Sequence, residues 1–309
     1  MYSGVLALDK PQGFTSHDAV AKLRGILGQK RIGHAGTLDP MATGVLVVLL
    51  GAATKASEDA SGMDKAYVAG LRPGLVTDTY DIWGTPVSKS PQKASAEALR
   101  AVLPSFTGDI LQVPPMYSAV QIDGKRLYSL ARKGIEVERE ARRIHISRIS
   151  ILEPDSSDIP PGAEDGDLYF SVTCSKGTYI RALCHDIGRV LGCGGCMCHL
   201  RRVSSGGFGI GDAIGFGDVE ALHGASHLAS ALLPTDGLYR GLPAVYLNHQ
   251  GWARAKHGNF VDARHIRGGL IPLAGGRCRV YDAEGSFCMT GIGKPQGDGI
   301  VIACDKMFV

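Results

Sequence analysis

Residues 33–44 read GHAGTLDPMATG, a polar, glycine-rich loop in front of an apolar stretch at residues 45–50. The apolar stretch carries no polar position on either face, which predicts a buried strand. Loops on rigid scaffolds often present catalytic groups, and glycines let a ligand approach the backbone closely. Asp39 is therefore a candidate catalytic carboxylate. The alternative for an Asp before a Pro is a turn or capping residue.

The elements around this loop indicate an α+β protein. A strand is predicted at residues 5–8, followed by a helix capped by Ser16 and ended by Gly28. Further strands are predicted at 66–71 and 168–174, with helices at 94–103 and from Thr178 to Gly192. The second of these helices is expected to turn Val190 inward, together with Leu183 and Ile187. Residues 153–167, rich in Pro, Asp and Gly, predict a surface loop.

The pattern changes after about residue 234. Short apolar runs at 276–281, 287–291 and 300–304 are separated by glycine turns. This pattern predicts a second, β-rich domain.

Composition and charge exclude only a few classes of protein. The 309 residues are 44% apolar and 20% charged, as in ordinary globular proteins, with a net charge of +3. Residues 125–148 contain eight Lys or Arg and three Glu, which suits phosphate binding or, equally, a solvated face with ion pairs. The longest apolar run, residues 44–53, is too short to span a membrane, and no targeting segment is recognisable. A cytoplasmic protein with reduced cysteines is expected.

A cysteine-rich segment offers a different hypothesis. Cys193, Cys196, Cys198 and His199 could form a zinc site, which would make the chain a zinc-dependent RNA-binding module. A closed zinc site usually takes two separated ligand pairs, and no second CxxC or HxxxH occurs here. Buried free thiols are the favoured interpretation.

Five ordered blocks carry a resemblance to a known family. They are LDKPQG (8–13) with the loop 33–44, Tyr67 with TDTYDIWG (77–84), PPMYSA (114–119) with ARKG (131–134), CSKGTYIR (174–181) and LRR (200–202). The chain resembles the TruB family of tRNA pseudouridine synthases over roughly residues 4–203. The second block matches the pattern T-D-T-x-D-x-x-G.

The resemblance implies both a fold and an activity. The expected fold is a pseudouridine synthase domain at 1–235, with a mixed, largely antiparallel central sheet flanked by helices. A PUA-like RNA-binding domain is expected at 236–309. The expected reaction converts uridine-55 in the T loop of tRNA to pseudouridine after base flipping. It needs no cofactor and no metal.

The resemblance also assigns roles to individual residues. Asp39 matches the catalytic aspartate, and Arg181 matches the residue that pairs with it. Lys10 is expected to support the catalytic loop or bind a phosphate. The remaining matches are substrate-binding: Tyr67 stacks on the flipped uracil, Tyr179 and Leu200 line its pocket, and His34 replaces stacking lost within the T loop.

The implied partner is the T stem-loop of tRNA, with the basic stretch 125–148 facing its backbone. A monomer without membrane contact or an obligate protein partner is expected. A rival hypothesis is a non-enzymatic RNA-folding protein, against which Asp39, Tyr67 and Arg181 argue. The chain departs from the family pattern at Val47, at Pro73, which should bend or end its strand, and at Gln121, which replaces a usual Lys.

Overall fold

A computed structural model describes residues 1–122, 124–297 and 299–309. The strands in chain order are β1 (Gly4–Lys10), β2 (Ile32–Ala35), β3 (Thr43–Leu50), β4 (Lys65–Pro73), β5 (Leu75–Thr77), β6 (Pro86–Lys89), β7 (Gly108–Gln112), β8 (Gln121–Ile122), β9 (Lys125–Arg126), β10 (Arg142–Ile151), β11 (Leu168–Cys174), β12 (Gly195–Ser205), β13 (Phe208–Gly209), β14 (Ala244–Leu247), β15 (Ile266–Gly269), β16 (Arg277–Tyr281), β17 (Phe287–Gln296) and β18 (Gly299–Met307).

The α-helices are mostly short. They are α1 (Ser16–Leu27), α2 (Ser57–Gly62), α3 (Ala96–Val102), α4 (Leu127–Ala131), α5 (Ile180–Val190), α6 (Phe216–Gly224), α7 (Leu228–Ala231) and α8 (His249–Ala255). Short 3₁₀ helices lie at Gly51–Ala56, Leu103–Phe106, Ile210–Asp212, Thr235–Tyr239 and Ala263–His265. Within the described ranges, no helix combines the length and the apolar character that crossing a bilayer requires.

The larger sheet confirms the predicted mixed, largely antiparallel architecture. Its strands follow the order β1-β3-β12-β4-β11-β10-β7, with β2 paired to β3 and β13 to β12. Among the described residues, all its pairings are antiparallel except that of β12 with β3, which aligns Arg202 with Gly44. This parallel pairing brings the end of the loop 33–44 beside a strand that lies far away in sequence.

Strand β3 lies at the centre of the core, as its composition predicted. Leu46, Val48 and Leu50 pack into a cluster with α1 and α5, while Val45, Val47 and Leu49 face a second cluster. Every residue from 44 to 50 is buried. Val47, one of the departures from the matched sequence pattern, is part of this second cluster.

The β-rich C-terminal unit is also confirmed. It forms a separate sheet in the order β15-β14-β16-β17-β18, with its own apolar cluster around Val245, Val280 and Ile302. Asp59 connects this sheet to helix α2, which precedes β4 of the larger sheet. Its carboxylate accepts hydrogen bonds from Arg277 Nη1 at 3.0 Å and from Lys306 Nζ at 2.8 Å.

Helix α1 corrects one prediction and confirms another. Thr15, not Ser16, is the N-cap, because the Thr15 hydroxyl accepts from the Asp18 N–H and Asp18 bonds back to it. Ser16 is buried instead, and its Oγ accepts the backbone N–H of Leu38 at 2.9 Å. Gly28 ends the helix with a φ of 59°, as predicted.

The remaining predictions were largely correct. The strands at 5–8, 66–71 and 168–174 form as β1, β4 and β11, and Pro73 is the last residue of β4. Residues 153–167 form a succession of turns. Two predictions were wrong: the polar loop contains β2, and Val190 at the end of α5 is 56% exposed rather than inward.

Candidate active site

Asp39 lies in the short connection between β2 and β3. Neighbouring residues fix this connection from outside: the Gly13 N–H donates to the Pro40 carbonyl at 2.8 Å, and Ser16 Oγ accepts from Leu38. The buried Leu38 side chain anchors the loop, while the Asp39 side chain remains 33% exposed. The carboxylate is thus held on a rigid loop and still open to a ligand.

A buried arginine stabilises the same loop. The guanidinium of Arg202 on β12 donates from Nε to the Val45 carbonyl at 2.7 Å and from Nη2 to the Gly36 carbonyl at 2.8 Å. Gly44 permits this approach. Its φ is 95°, and a Cβ there would lie 2.2 Å from the Arg202 carbonyl oxygen. Sequence reasoning placed Arg202 in a matched block but missed this role.

Arg181 meets Asp39 as predicted. Its Nε lies 3.3 Å from Oδ2 of Asp39, and its Nη2 donates to Oδ1 at 3.4 Å. Nη2 also donates to the Tyr117 carbonyl at 2.6 Å, which holds the guanidinium in place. Arg181 is almost fully buried on the first turn of α5. The pair orients the carboxylate and balances its charge.

These two residues lie in a cavity of about 770 Å³. Five of the seven predicted site residues line it: Asp39, Tyr67, Tyr179, Arg181 and Leu200. Lys10 and His34 are not among its lining residues. A cavity of this size accommodates a nucleotide, and its lining combines many polar side chains with one apolar wall.

The apolar wall comes from two adjacent strands. Tyr67 on β4 and Leu200 on β12 are both buried, and they lie two positions apart in the register between the strands. Burial raises the pKa of the Tyr67 phenol, an effect that the nearby Arg202 cation opposes. The phenol is therefore neutral near pH 7, and its ring offers an aromatic face.

Tyr179 is positioned by a residue that sequence reasoning missed. Gln112, at the end of β7, accepts the Tyr179 N–H at 2.9 Å and donates to the Tyr179 carbonyl at 3.1 Å. These bonds fix the backbone directly before α5. The first turn of this helix carries Arg181, which contacts Asp39. The buried Gln112 amide carries no sequence signal of its own, because an isolated Gln at a strand end is usually exposed.

Lys10 is completely buried beneath the loop. Its Nζ donates to the carbonyls of Pro11 at 2.9 Å and Phe14 at 2.7 Å. Burial lowers the pKa of Lys10 to about 8, although the charge of Asp39 opposes this. Both carbonyls belong to the turn at residues 11–14, whose Gly13 N–H donates to Pro40 in the Asp39 loop, so this placement favours indirect support of the loop over phosphate binding.

His34 on β2 lies behind the loop. Its ring meets that of His17 edge-on at 5.2 Å between centroids, and His17 does line the cavity. Burial, together with the charges of His17 and Arg202, lowers the pKa of His34 to about 4. The imidazole is therefore neutral near pH 7.

Two further titratable residues of the cavity were not singled out from the sequence. Lys65 donates from Nζ to the Ser61 carbonyl at 2.9 Å, and burial lowers its pKa to about 8. Asp81 is buried in the turn that follows β5, and burial raises its pKa. Lys65 begins β4 two residues before Tyr67, a spacing that places both side chains on the same face of the strand.

Part of the basic stretch also reaches the cavity. Arg126 and Arg132 line it together with Tyr128, whose ring centroid lies 6.0 and 5.5 Å from the two guanidinium carbons. Gln121, which replaces a usual Lys, is exposed on β8. The cavity rim is therefore both cationic and aromatic.

The cysteine segment does not assemble a metal site. In the described part of the chain, no three His, Cys, Asp or Glu side chains are arranged to hold a metal ion. Cys193 and Cys196 are buried, and burial raises the pKa of Cys196 to about 12. The zinc-module hypothesis therefore has no donor set among these residues.

Comparison with known proteins defines the class first. The fold is similar to a protein in the crystal structure of a Cbf5-Nop10-Gar1 complex, with a TM-score of 0.75, 27% identity, and coverage of 99% of this chain and 85% of that one. A structure of an H/ACA RNP bound to a substrate RNA containing 2'-deoxyuridine gives a TM-score of 0.74 at 25% identity, with the same coverage. These similarities, with the site geometry, indicate a pseudouridine synthase fold.

Sequence relatives then narrow the class. Residues 24–180 match the TruB family pseudouridylate synthase N-terminal domain, and residues 181–239 match the tRNA pseudouridylate synthase B C-terminal domain. The tRNA pseudouridine synthase B of Dechloromonas aromatica is 43% identical, covering 96% of this chain and 93% of the relative. That of Stutzerimonas stutzeri is 41% identical over the same shares. The chain belongs to the TruB family of pseudouridylate synthases.

Proposed function

We propose that this protein isomerises uridine-55 in the T loop of tRNA to pseudouridine. The observation that carries the proposal is the Asp39 carboxylate, 3.3 Å from the Arg181 guanidinium, in a cavity that Tyr67 and Leu200 also line. The names of the curated relatives support tRNA as the substrate. Position 55 is part of the proposal and follows from the resemblance of the five sequence blocks.

The cavity suits a base turned out of its stack. Extrusion of a nucleotide costs a few kcal/mol, which stacking and hydrogen bonds in the receiving pocket must offset. The Tyr67 ring supplies the stacking face, and Leu200 and Tyr179 close the pocket around the uracil. The cationic rim formed by Arg126 and Arg132 meets the phosphates on either side.

The reaction is an isomerisation, so substrate and product contain the same atoms. The protein supplies one carboxylate. The bond between C1′ and N1 breaks, a bond between C1′ and C5 forms, C5 loses a proton, and N1 becomes protonated. Asp39 acts on this sequence by one of two routes: attack on C6 of the base, or assistance of bond cleavage at C1′. Both routes require the carboxylate to be free of a proton and aimed by Arg181.

The decisive experiment uses an unmodified tRNA transcript. Wild-type protein should form pseudouridine at position 55, mapped at single-nucleotide level, while Asp39→Asn should reduce the single-turnover rate at least about a thousandfold and retain tRNA binding. Asp9→Asn is a matched control, because the Asp9 side chain is 35% exposed and pairs with Arg201 outside the cavity. Asp39→Asn turnover within tenfold of wild type would reject the assignment.

We also infer the roles of the two units: residues 1–235 catalyse the reaction, and residues 236–309 form a PUA-like unit that binds RNA. A separate sheet and a separate apolar core support this division. Lys256 and Arg267 are exposed cations of the second unit. Replacing both with Ala should weaken tRNA binding and reduce the slope of log Kd against log salt by about one for each phosphate interaction removed. An unchanged slope would argue against RNA binding by this unit.

A further inference from the structure

Trp83 presents an exposed indole to the catalytic cavity. Its side chain lines the cavity, yet the residue is 54% exposed. Tryptophan is highly buried on average, so an indole left in water at a binding site requires an explanation. Residue 83 occupies one of the unspecified positions of T-D-T-x-D-x-x-G, so the indole belongs to this chain and not to the shared motif.

A rigid turn holds Trp83 in this position. The Asp81 carboxylate accepts the Trp83 N–H at 3.0 Å and the Thr79 hydroxyl at 3.0 Å. The Ile82 N–H donates to the Met197 carbonyl of β12 at 2.9 Å, which fastens the turn to the central sheet. Because the backbone is already ordered, a ligand that stacks on the indole has little backbone ordering left to impose.

Other groups around the cavity suit an unpaired nucleotide. Tyr128 lines the same cavity, with the Arg126 and Arg132 guanidinium groups close to its ring. Aromatic faces combined with cations are the means by which proteins bind single-stranded nucleic acid. Tyr67 is buried at the catalytic residues, whereas Trp83 is exposed, so the two rings can receive two different bases.

We propose that Trp83 stacks on an unpaired base that flanks the flipped uridine in the bound RNA. This inference rests on the proposed function, since it assumes an RNA with one base turned into the cavity. Trp83 touches no reacting atom in this arrangement. Its stacking raises affinity and fixes the path of the strand as it enters the site.

The test combines protein variants with altered RNA. The probe is an unmodified T stem-loop, together with versions that carry an abasic site at each nucleotide flanking the target uridine. On the intact RNA, Trp83→Ala should raise Kd about 5- to 100-fold, while Trp83→Phe should retain most of the affinity. Val87→Ala is the matched control, because Val87 is 67% exposed on β6 and does not line the cavity. It should bind as the wild type does.

The abasic series separates stacking from a general loss of structure. With the stacked base removed, wild type and Trp83→Ala should bind alike within about twofold, since the indole then has no base to stack on. If Trp83→Ala raised Kd equally for every abasic RNA, the proposal would be overturned. An unchanged Kd on the intact stem-loop would also overturn it.

Fluorescence provides an independent readout. The chain has two tryptophans, so Trp252→Phe leaves Trp83 as the sole tryptophan, which can be excited selectively in the presence of the tyrosines. RNA should quench this emission, and the RNA that lacks the stacked base should not. Pseudouridine formation by the wild type in the same RNA tests the proposed function separately. Binding and quenching without product would reject the function and retain the stacking, whereas product with no quenching would reject the stacking alone.

Discussion

The Arg202 guanidinium donates from Nη2 to the Gly36 carbonyl at 2.8 Å and so joins β12 to the loop that carries Asp39. A second bond, from Nε to the Val45 carbonyl, holds the other end of that loop. Arg202 is completely buried, and its planar fork reaches both ends of the loop at once. The backbone of the loop that carries Asp39 is therefore held by a buried cation.

Arg202→Lys should lower the free energy of unfolding by about 2–4 kcal/mol, because an ammonium group cannot satisfy both separated carbonyls. Chemical denaturation measures this loss. Arg201→Lys is the control, since the partly exposed pair of Arg201 with Asp9 should contribute less than about 1 kcal/mol. Equal effects of the two substitutions would show that Arg202 does not brace the loop.

Gly44→Ala tests the close approach of the loop to β12. The new Cβ would lie 2.2 Å from the Arg202 carbonyl oxygen, in addition to the strain of a positive φ. We expect a loss of more than about 2 kcal/mol in stability, together with reduced activity. Gly13→Ala carries a comparable φ of 88° with no atom near its Cβ, and it should cost only about 1 kcal/mol. Thermal unfolding of the two variants gives the comparison, and equal costs would exclude the close approach as the cause.

Tyr67→Ala should reduce single-turnover pseudouridine formation by about 5- to 100-fold, because the flipped base loses its stacking face. Tyr67→Phe keeps the ring and should stay within a few-fold of wild type. Rates are measured at saturating RNA, so that weaker binding does not contribute. Equal rates for Tyr67→Ala and Tyr67→Phe would show that the Tyr67 ring is not the stacking face.

His34 should make the protein less stable in mild acid. Its folded-state pKa of about 4 lies below the ordinary value of 6.5, so the unfolded chain binds more protons between these values. The contribution of His34 to the free energy of unfolding is therefore fully present above pH 6.5 and is lost as the pH drops towards 4. His34→Gln should reduce the difference in unfolding free energy between pH 7 and pH 5 by roughly 1–2 kcal/mol.

His257→Gln provides the comparison for this effect, because it removes an exposed imidazole instead of a partly buried one. Denaturant unfolding at the two pH values measures it for each variant. An unaltered pH dependence in His34→Gln would mean that the imidazole is protonated in the folded state as readily as in the unfolded state.

Parts of the fold could be predicted because the information is local. Strand β3 is apolar on both faces, and Gly28 can adopt the left-handed conformation that ends α1. Strand β2 could not be predicted in the same way, because Ile32–Ala35 pairs with residues 47–50 through backbone groups that every sequence offers. Thr15 and Ser16 are equally good caps, and the distant Leu38 N–H decides between them.

The residues of the site also differ in how well the sequence predicted them. The resemblance of the sequence blocks identified five residues that line the cavity, among them Asp39 and Arg181, although Lys10 and His34 do not line it. The supporting residues, Arg202 and Gln112, were missed because an arginine or a glutamine in a sequence is expected to be exposed. Their burial depends on backbone carbonyls and amides contributed by segments far away in the chain.

The parallel alignment of β12 with β3 has a consequence for biosynthesis. Arg202 is 166 positions downstream of Gly36, so a growing chain displays the carboxylate long before it contains the guanidinium that fastens the surrounding backbone. At ~5–20 residues per second, this interval lasts about 10–30 s. The loop that carries Asp39 therefore lacks this support until the segment at 195–205 has left the ribosome, and the site is completed in one late step.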